Sequence, residues 1–240
     1  MNFIDIKELL TILVVFSANI VEAITGFAGT MLAMPAAMQL IGVMDAKIVL
    51  NVVALFVSST IWMQSRKDTN LKEVYKISGL MVIGMAVGLY LFNLLPVDWL
   101  SRLYGILIIL VAIKGLFVKK QFSLPEWMLL VVVLAAGVIH GMFLSGGSLL
   151  VIYAITVLKD KSVIRATLAP VWIFLNLIIL AQDIWAGHVT SHCLVLAVCC
   201  LPPVCLALYI GNLLHKRIPQ DFFVKLTYLL LILSGASLFM

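Results

Sequence analysis

Apolar stretches long enough to cross a membrane follow one another along the whole chain, and no polar stretch between them exceeds about a dozen residues. They run roughly over 8–42, 46–64, 74–95, 99–118, 126–158, 164–182, 190–211 and 222–239. That pattern leaves no room for a soluble domain, so residues 1–240 read as one all-helical, polytopic membrane domain. Composition agrees: 64% of the residues are hydrophobic and 11% are charged, where a soluble chain carries about 25% charged residues. The net charge of +5 then reflects Lys and Arg gathered in cytoplasmic loops rather than affinity for nucleic acid. The N-terminal stretch has the small-residue end of a signal peptide, but Asp5 and Glu8 spoil its basic region. It is expected to be retained. Cys193, Cys199, Cys200 and Cys205 all fall in one apolar segment. They read as reduced thiols packing as small hydrophobes, with a substrate-facing thiol the alternative.

The first and fifth segments are too long for one crossing of about 20 residues, and both carry small or hydroxyl residues near their middles. They also align. Residues 29–58 lie over 147–176 without a gap, with seven identities. The match continues where "YLFNLL" at 90–95 meets "YIGNLL" at 209–214, and "DWLSRL" at 98–103 meets "DFFVKL" at 221–226. Polar landmarks in the same order argue for duplication, with repeat one at about 1–120 and repeat two at about 121–240.

Charge decides how the repeats are oriented. The basic loops are 65–73, 114–125, 159–165 and 215–225. If all eight segments crossed, the basic residues would divide evenly between the two sides. If the fifth segment instead dips in and returns, 13 fall on one side against two or three opposite. The positive-inside rule therefore favours a re-entrant hairpin, with those four loops cytoplasmic. Extending this to the first segment gives two inverted repeats, each a broken helical hairpin plus three crossings, with both termini outside.

Inverted repeats with discontinuous helices are the architecture of secondary transporters. The turns at 24–30 and 143–148 are expected to meet near the membrane midplane, from half-helices of about 15 residues rising roughly 22 Å. Two helix N-termini would converge there, with free amides and partial positive charge, a setting for a small anion. The substrate-binding candidates are Gly26, Phe27, Ala28, Gly29 and Thr30, with Ser145, Gly146, Gly147 and Ser148. Small residues that merely allow tight helix packing are the other reading. The alignment also pairs Glu22 with His140, each the only ionisable residue inside its hairpin. Such groups are costly in a membrane and mark function. Proton coupling or gating is the expected role, and a hydrogen bond holding the hairpin the alternative. Thr25, Asn51, Thr167, Trp172 and Asn176 are cavity-lining candidates. His188 and His192 have the spacing of a metal pair, but no carboxylate-rich stretch completes a site. Neither a metal nor any other cofactor is expected, and no motif of a soluble enzyme appears. Pro202 and Pro203 are expected to kink the seventh segment.

"ANIVEAITGFAGTMLAMP" and "GVIHGMFLSGGSLLV" resemble the paired glycine-rich motifs of the sulfite exporter TauE/SafE family. The resemblance covers essentially the whole chain. It implies a transporter in the bacterial cytoplasmic membrane, without an ATPase subunit. Family membership further implies a cargo of sulfite, sulfonates or related sulfur-containing or organic anions, driven by ion gradients. The family's glycines map onto Gly26, Gly29, Gly146 and Gly147. The usual glycine run is thinned to "GFAG" and the second motif is "SGGS", so a different anion within that class stays open. A cation permease or channel and an intramembrane enzyme are the competing classes. The expected partners are a small anionic substrate and the lipid bilayer; the sequence leaves a homo-oligomer undetermined.

Overall fold

A computed structural model describes residues 5–117 and 125–217, with positions 219, 229, 232, 233 and 236 beyond them. Most of the expected crossing over 222–239 and most of the loop at 114–125 lie outside the described residues. Among the described residues every element is helical. In chain order they are α1 (Ile6–Thr25), α2 (Gly29–Ile41), α3 (Val43–Ser65), α4 (Leu71–Leu94), α5 (Val97–Phe117), α6 (Glu126–Phe143), α7 (Gly147–Val157), α8 (Lys161–Trp185) and α9 (Ser191–Arg217). Six helices among the described residues are long and apolar enough to cross a membrane, namely α1, α3, α4, α6, α8 and α9.

Local chemistry sets the helix starts. Asp5 and Glu8 form a reciprocal capping box at α1, which satisfies two of the orphan amides of the first turn. At α4 the Asn70 side chain accepts from the Glu73 amide, and at α8 the Asp160 side chain accepts from the Ser162 and Val163 amides. α9 runs unbroken through Pro202 and Pro203. The two long apolar segments are each split, at 26–28 and at 144–146. Their arms are unequal, not the matched halves expected from the sequence. α1 and α6 have 20 and 18 residues, whereas α2 and α7 have 13 and 11, because the breaking residues sit late in each segment.

The two breaks are built alike. Gly26 ends α1 in the left-handed conformation (φ +81°), its amide donating to the Glu22 carbonyl. Leu144, its partner in the internal alignment, ends α6 in the same conformation (φ 56°), its amide donating to His140. Leucine there costs about 1–2 kcal/mol over glycine, held in place by a buried side chain. After each break the chain folds back onto the preceding helix. The Gly29 amide donates to the Glu22 carboxylate, and a Cβ on Gly146 would lie 2.4 Å from the Ala136 carbonyl.

Helix directions follow from the contacts. α3 and α8 run antiparallel: Lys47 meets Asp183, Asn51 meets Asn176, and the end of α3 leads to Thr69, whose hydroxyl donates to Ala166. α1 and α9 run parallel, with Glu8 beside His192 and Ile24 beside His215. α4 and α6 also run parallel. Lys76 pairs with Glu126 at one end, and further along Gly88 and Gly141 close the gap so that backbone meets backbone. Each parallel pair joins one helix from either half of the chain. Lipid tails are as apolar as leucine, so such contacts rest on close packing and interhelical hydrogen bonds rather than hydrophobic burial. Large apolar side chains such as Leu13, Ile83, Leu110, Val131, Leu177 and Val198 cover the outside.

The described parts of the basic loops at 65–73, 159–165 and 215–225 gather at one end. Besides the Thr69 bond, the Asn70 amide donates to Thr167, and Lys161 reaches the His215 carbonyl.

Candidate functional site

The two breaks touch. The Thr30 hydroxyl, in the first turn of α2, donates to the Leu144 carbonyl at 2.8 Å. Gly147, opening α7, lies so close to Phe27 that a Cβ there would stand 2.5 Å from the Phe27 carbonyl. The residues that precede the two starts, Ala28 and Gly146, give no side-chain cap. Among the described residues, the Gly147 and Ser148 amides of α7 and the Thr30 and Met31 amides of α2 donate no hydrogen bond. The first amide of α2 differs from the free group expected from the sequence, because Gly29 is bound by the Glu22 carboxylate.

Beside this junction lies a narrow cleft lined by Glu22, Phe27, Thr30, Ala54, Ser58, His140, Leu144, Gly147, Trp172 and Asn176. Seven of these are candidates from the sequence: Glu22, Phe27, Thr30, His140, Gly147, Trp172 and Asn176. The internal alignment pairs three sets across the cleft, Glu22 with His140, Ala54 with Trp172, and Ser58 with Asn176. Sequence reasoning missed Ala54, Ser58 and Leu144, although as repeat partners of the candidates Trp172, Asn176 and Gly26 they were already marked.

Its walls hold unusual polar groups. His140 is 2% exposed and both ring nitrogens are buried without a hydrogen-bond partner. Its ring lies against Trp172, with centroids 5.2 Å apart. Asn176 is also 2% exposed, and its Oδ1 has no partner. Buried polar atoms are normally satisfied, so each orphan asks for an explanation. Glu22 is 7% exposed, and among the described residues no cation pairs with it at contact distance. The nearby Arg165 guanidinium is turned to Asn212, bonding its Oδ1 at 2.6 Å.

The other candidates sit around the cleft. Gly26 receives the Trp172 indole N–H at 2.9 Å, which ties α8 to the first break. Ala28 is the buried residue preceding α2. Gly29 holds Glu22, and Gly146 packs on α6. Ser145 accepts from the Tyr104 hydroxyl at 2.6 Å and donates to Phe143, while Ser148 donates to Ser145. The Thr25 hydroxyl bonds back to Val21. Asn51 donates to the Asn176 carbonyl behind the wall. Thr167 is spent on Asn70 at the basic end, away from the cleft.

Beyond the junction, Lys47 and Asp183 form an ion pair (3.3 Å) between α3 and α8, with side chains 2% and 1% exposed. His188 approaches Asp183 at 3.5 Å, while His192 meets Glu8 at 2.6 Å. The two histidines thus engage different carboxylates, and no group of metal-ligating residues occurs among the described residues. Cys193 and Cys200 are buried in the apolar core.

Six membrane-length apolar helices, two broken segments meeting tip to tip and a polar cleft beside them define a multi-pass membrane transporter in its architecture. The model of the sulfite exporter TauE/SafE family matches residues 11–238, and the chain belongs to that family. A relative, the probable inner membrane transporter protein TsaS of Comamonas testosteroni, is 29% identical over 161 residues, covering 66% of this chain and 67% of that protein. No solved structure matches significantly.

Proposed function

We propose that this chain is a secondary transporter that moves a small sulfur-containing or organic anion, such as sulfite or a sulfonate, across the cytoplasmic membrane. The anion is held between the two breaks, and transport is coupled to a proton through Glu22, His140 or both. The observation that carries the reading is the meeting of two helix starts that keep free amides, joined by the Thr30–Leu144 bond, beside a cleft with an unpartnered buried histidine. Free amides and the helix dipole favour an anion there.

The inverted arrangement draws support from helix direction. Between α3 and α8 the chain passes through α4, α5 and the α6–α7 pair. If α6 and α7 together made one crossing, α3 and α8 would run parallel. They run antiparallel, as expected when α6–α7 returns to the side it entered. The repeats then carry opposite orientations, with the basic loops cytoplasmic by the positive-inside rule. The family and the name of its relative favour transport over the enzyme reading.

The test is uptake by purified protein in liposomes, across sulfite, thiosulfate, sulfonates and small carboxylates, at several pH values. Saturable uptake of one class is expected, with a pH profile that Glu22→Gln or His140→Gln alters. Uptake of metal cations with no anion bound would overturn the assignment, and unchanged profiles in both variants would remove the proton coupling.

A further inference from the structure

The cleft is chemically unequal at its two helix starts, and the inequality bears on what fits between them. At the α2 start the first amide, that of Gly29, is already taken by the Glu22 carboxylate, which also lines the cleft beside the free Thr30 and Met31 amides. The α7 start has no such side chain, because its repeat partner of Glu22 is His140. The Gly147 and Ser148 amides stand free there. An incoming anionic group therefore finds open donors at α7 with no acidic side chain beside them, and the Glu22 carboxyl group toward α2.

The orphan atoms add a second constraint. A neutral histidine offers one N–H donor and one acceptor nitrogen. Asn176 Oδ1 is an acceptor, and it lies near His140 without a well-formed bond. If the two rearrange to pair with each other, the imidazole donor is used and its acceptor nitrogen is left over. If they do not pair, Asn176 Oδ1 is left over. Either way the pair leaves at least one buried acceptor for a donor from outside it, a ligand or a water, and the Glu22 carboxylate adds another. Leaving such an atom unmatched costs more than a matched bond gains.

We infer that the cleft selects a small monoanion that carries its own hydrogen-bond donor, with the anionic group at the α7 start and the donor toward Glu22, His140 and Asn176. While Glu22 is ionised, its charge excludes dianions of similar size. Glu22 is thus a specificity residue that, in that state, occupies one of the two anion positions. This rests on the transporter reading above and narrows its substrate class.

The experiment is direct binding to the purified chain of three two-carbon probes: 2-hydroxyethanesulfonate, ethanesulfonate and ethane-1,2-disulfonate. The hydroxylated monoanion is expected to bind about tenfold tighter than ethanesulfonate, and the disulfonate at least about tenfold weaker. Glu22→Gln keeps an acceptor for Gly29 but removes the charge. It should raise disulfonate affinity about tenfold relative to ethanesulfonate, whereas Glu22→Asp should retain the discrimination. Equal binding of all three probes by the wild-type chain would overturn the inference without any variant. So would a Glu22→Gln protein with unchanged ratios. If no anion binds at all, the transporter reading itself falls, an outcome distinct from anions binding without preference.

Discussion

At the scale of single residues, the strongest constraint is the buried ion pair of Lys47 and Asp183. Burying two charges is costly, and removing one partner leaves the other uncompensated. Asp183 Oδ2 already lacks a partner, so Lys47→Met is expected to destabilise the protein by about 3–5 kcal/mol. Lys47→Met with Asp183→Leu should recover most of that loss. Thermal unfolding in detergent checks both, and a double variant as unstable as the single would show that the pair is not the source. Trp172→Phe removes the only N–H that reaches the Gly26 carbonyl among the described residues, while keeping a ring beside His140. The stranded carbonyl is expected to cost about 1–3 kcal/mol, and unfolding at the wild-type temperature would count against that role. Glu22 and His140 stood out in the sequence because ionisable groups are rare inside apolar segments. Leu144 did not, since nothing in a leucine announces a left-handed backbone. Its alignment with Gly26 was the available signal.

At the scale of helices, glycine placement decides how close α4 and α6 can run. A Cβ at Gly88 would lie 2.1 Å from the Val138 carbonyl, which is backbone and cannot swing aside. Gly79, in the same helix, has open space around the added atom. Gly88→Ala is therefore expected to force the helices apart at a cost of about 1–3 kcal/mol. Gly79→Ala should be neutral or stabilising by up to about 1 kcal/mol, from helix propensity alone. The two melting temperatures compared side by side test the claim, and equal effects would refute it. The helices were legible as apolar segments of membrane length, and the breaks fell within the expected windows of 24–30 and 143–148. The unequal arms were not legible, because hydropathy is nearly flat along each segment and only backbone geometry places the turn. The packing of α4 on α6 was equally hidden. A small-residue stripe marks a close face without saying which helix meets it.

At the scale of the whole molecule, the pattern of helix directions is the most informative feature. The sequence supplied the duplication and the charge count, which together pointed to opposed repeats. It could not say that each half lends a helix to the other, α9 to α1 and α4 to α6, because contacts across more than 50 residues leave no periodic trace. That exchange makes the topology testable. Thr69 and Asn70 bond to Ala166 and Thr167, so the α3–α4 and α7–α8 loops share one end of the bundle. Gly42 and Gly187, in the α2–α3 and α8–α9 connections, lie beyond the opposite ends of α3 and α8. With the native cysteines replaced, single cysteines at Lys67 and Lys159 should react with a membrane-impermeant maleimide only when it has access to the cytoplasm. Cysteines at Gly42 and Gly187 should react only from the other side. If α6–α7 were instead one ordinary crossing, Lys159 would label from the side opposite to Lys67, and the inverted arrangement, with the anion site built on it, would have to be abandoned.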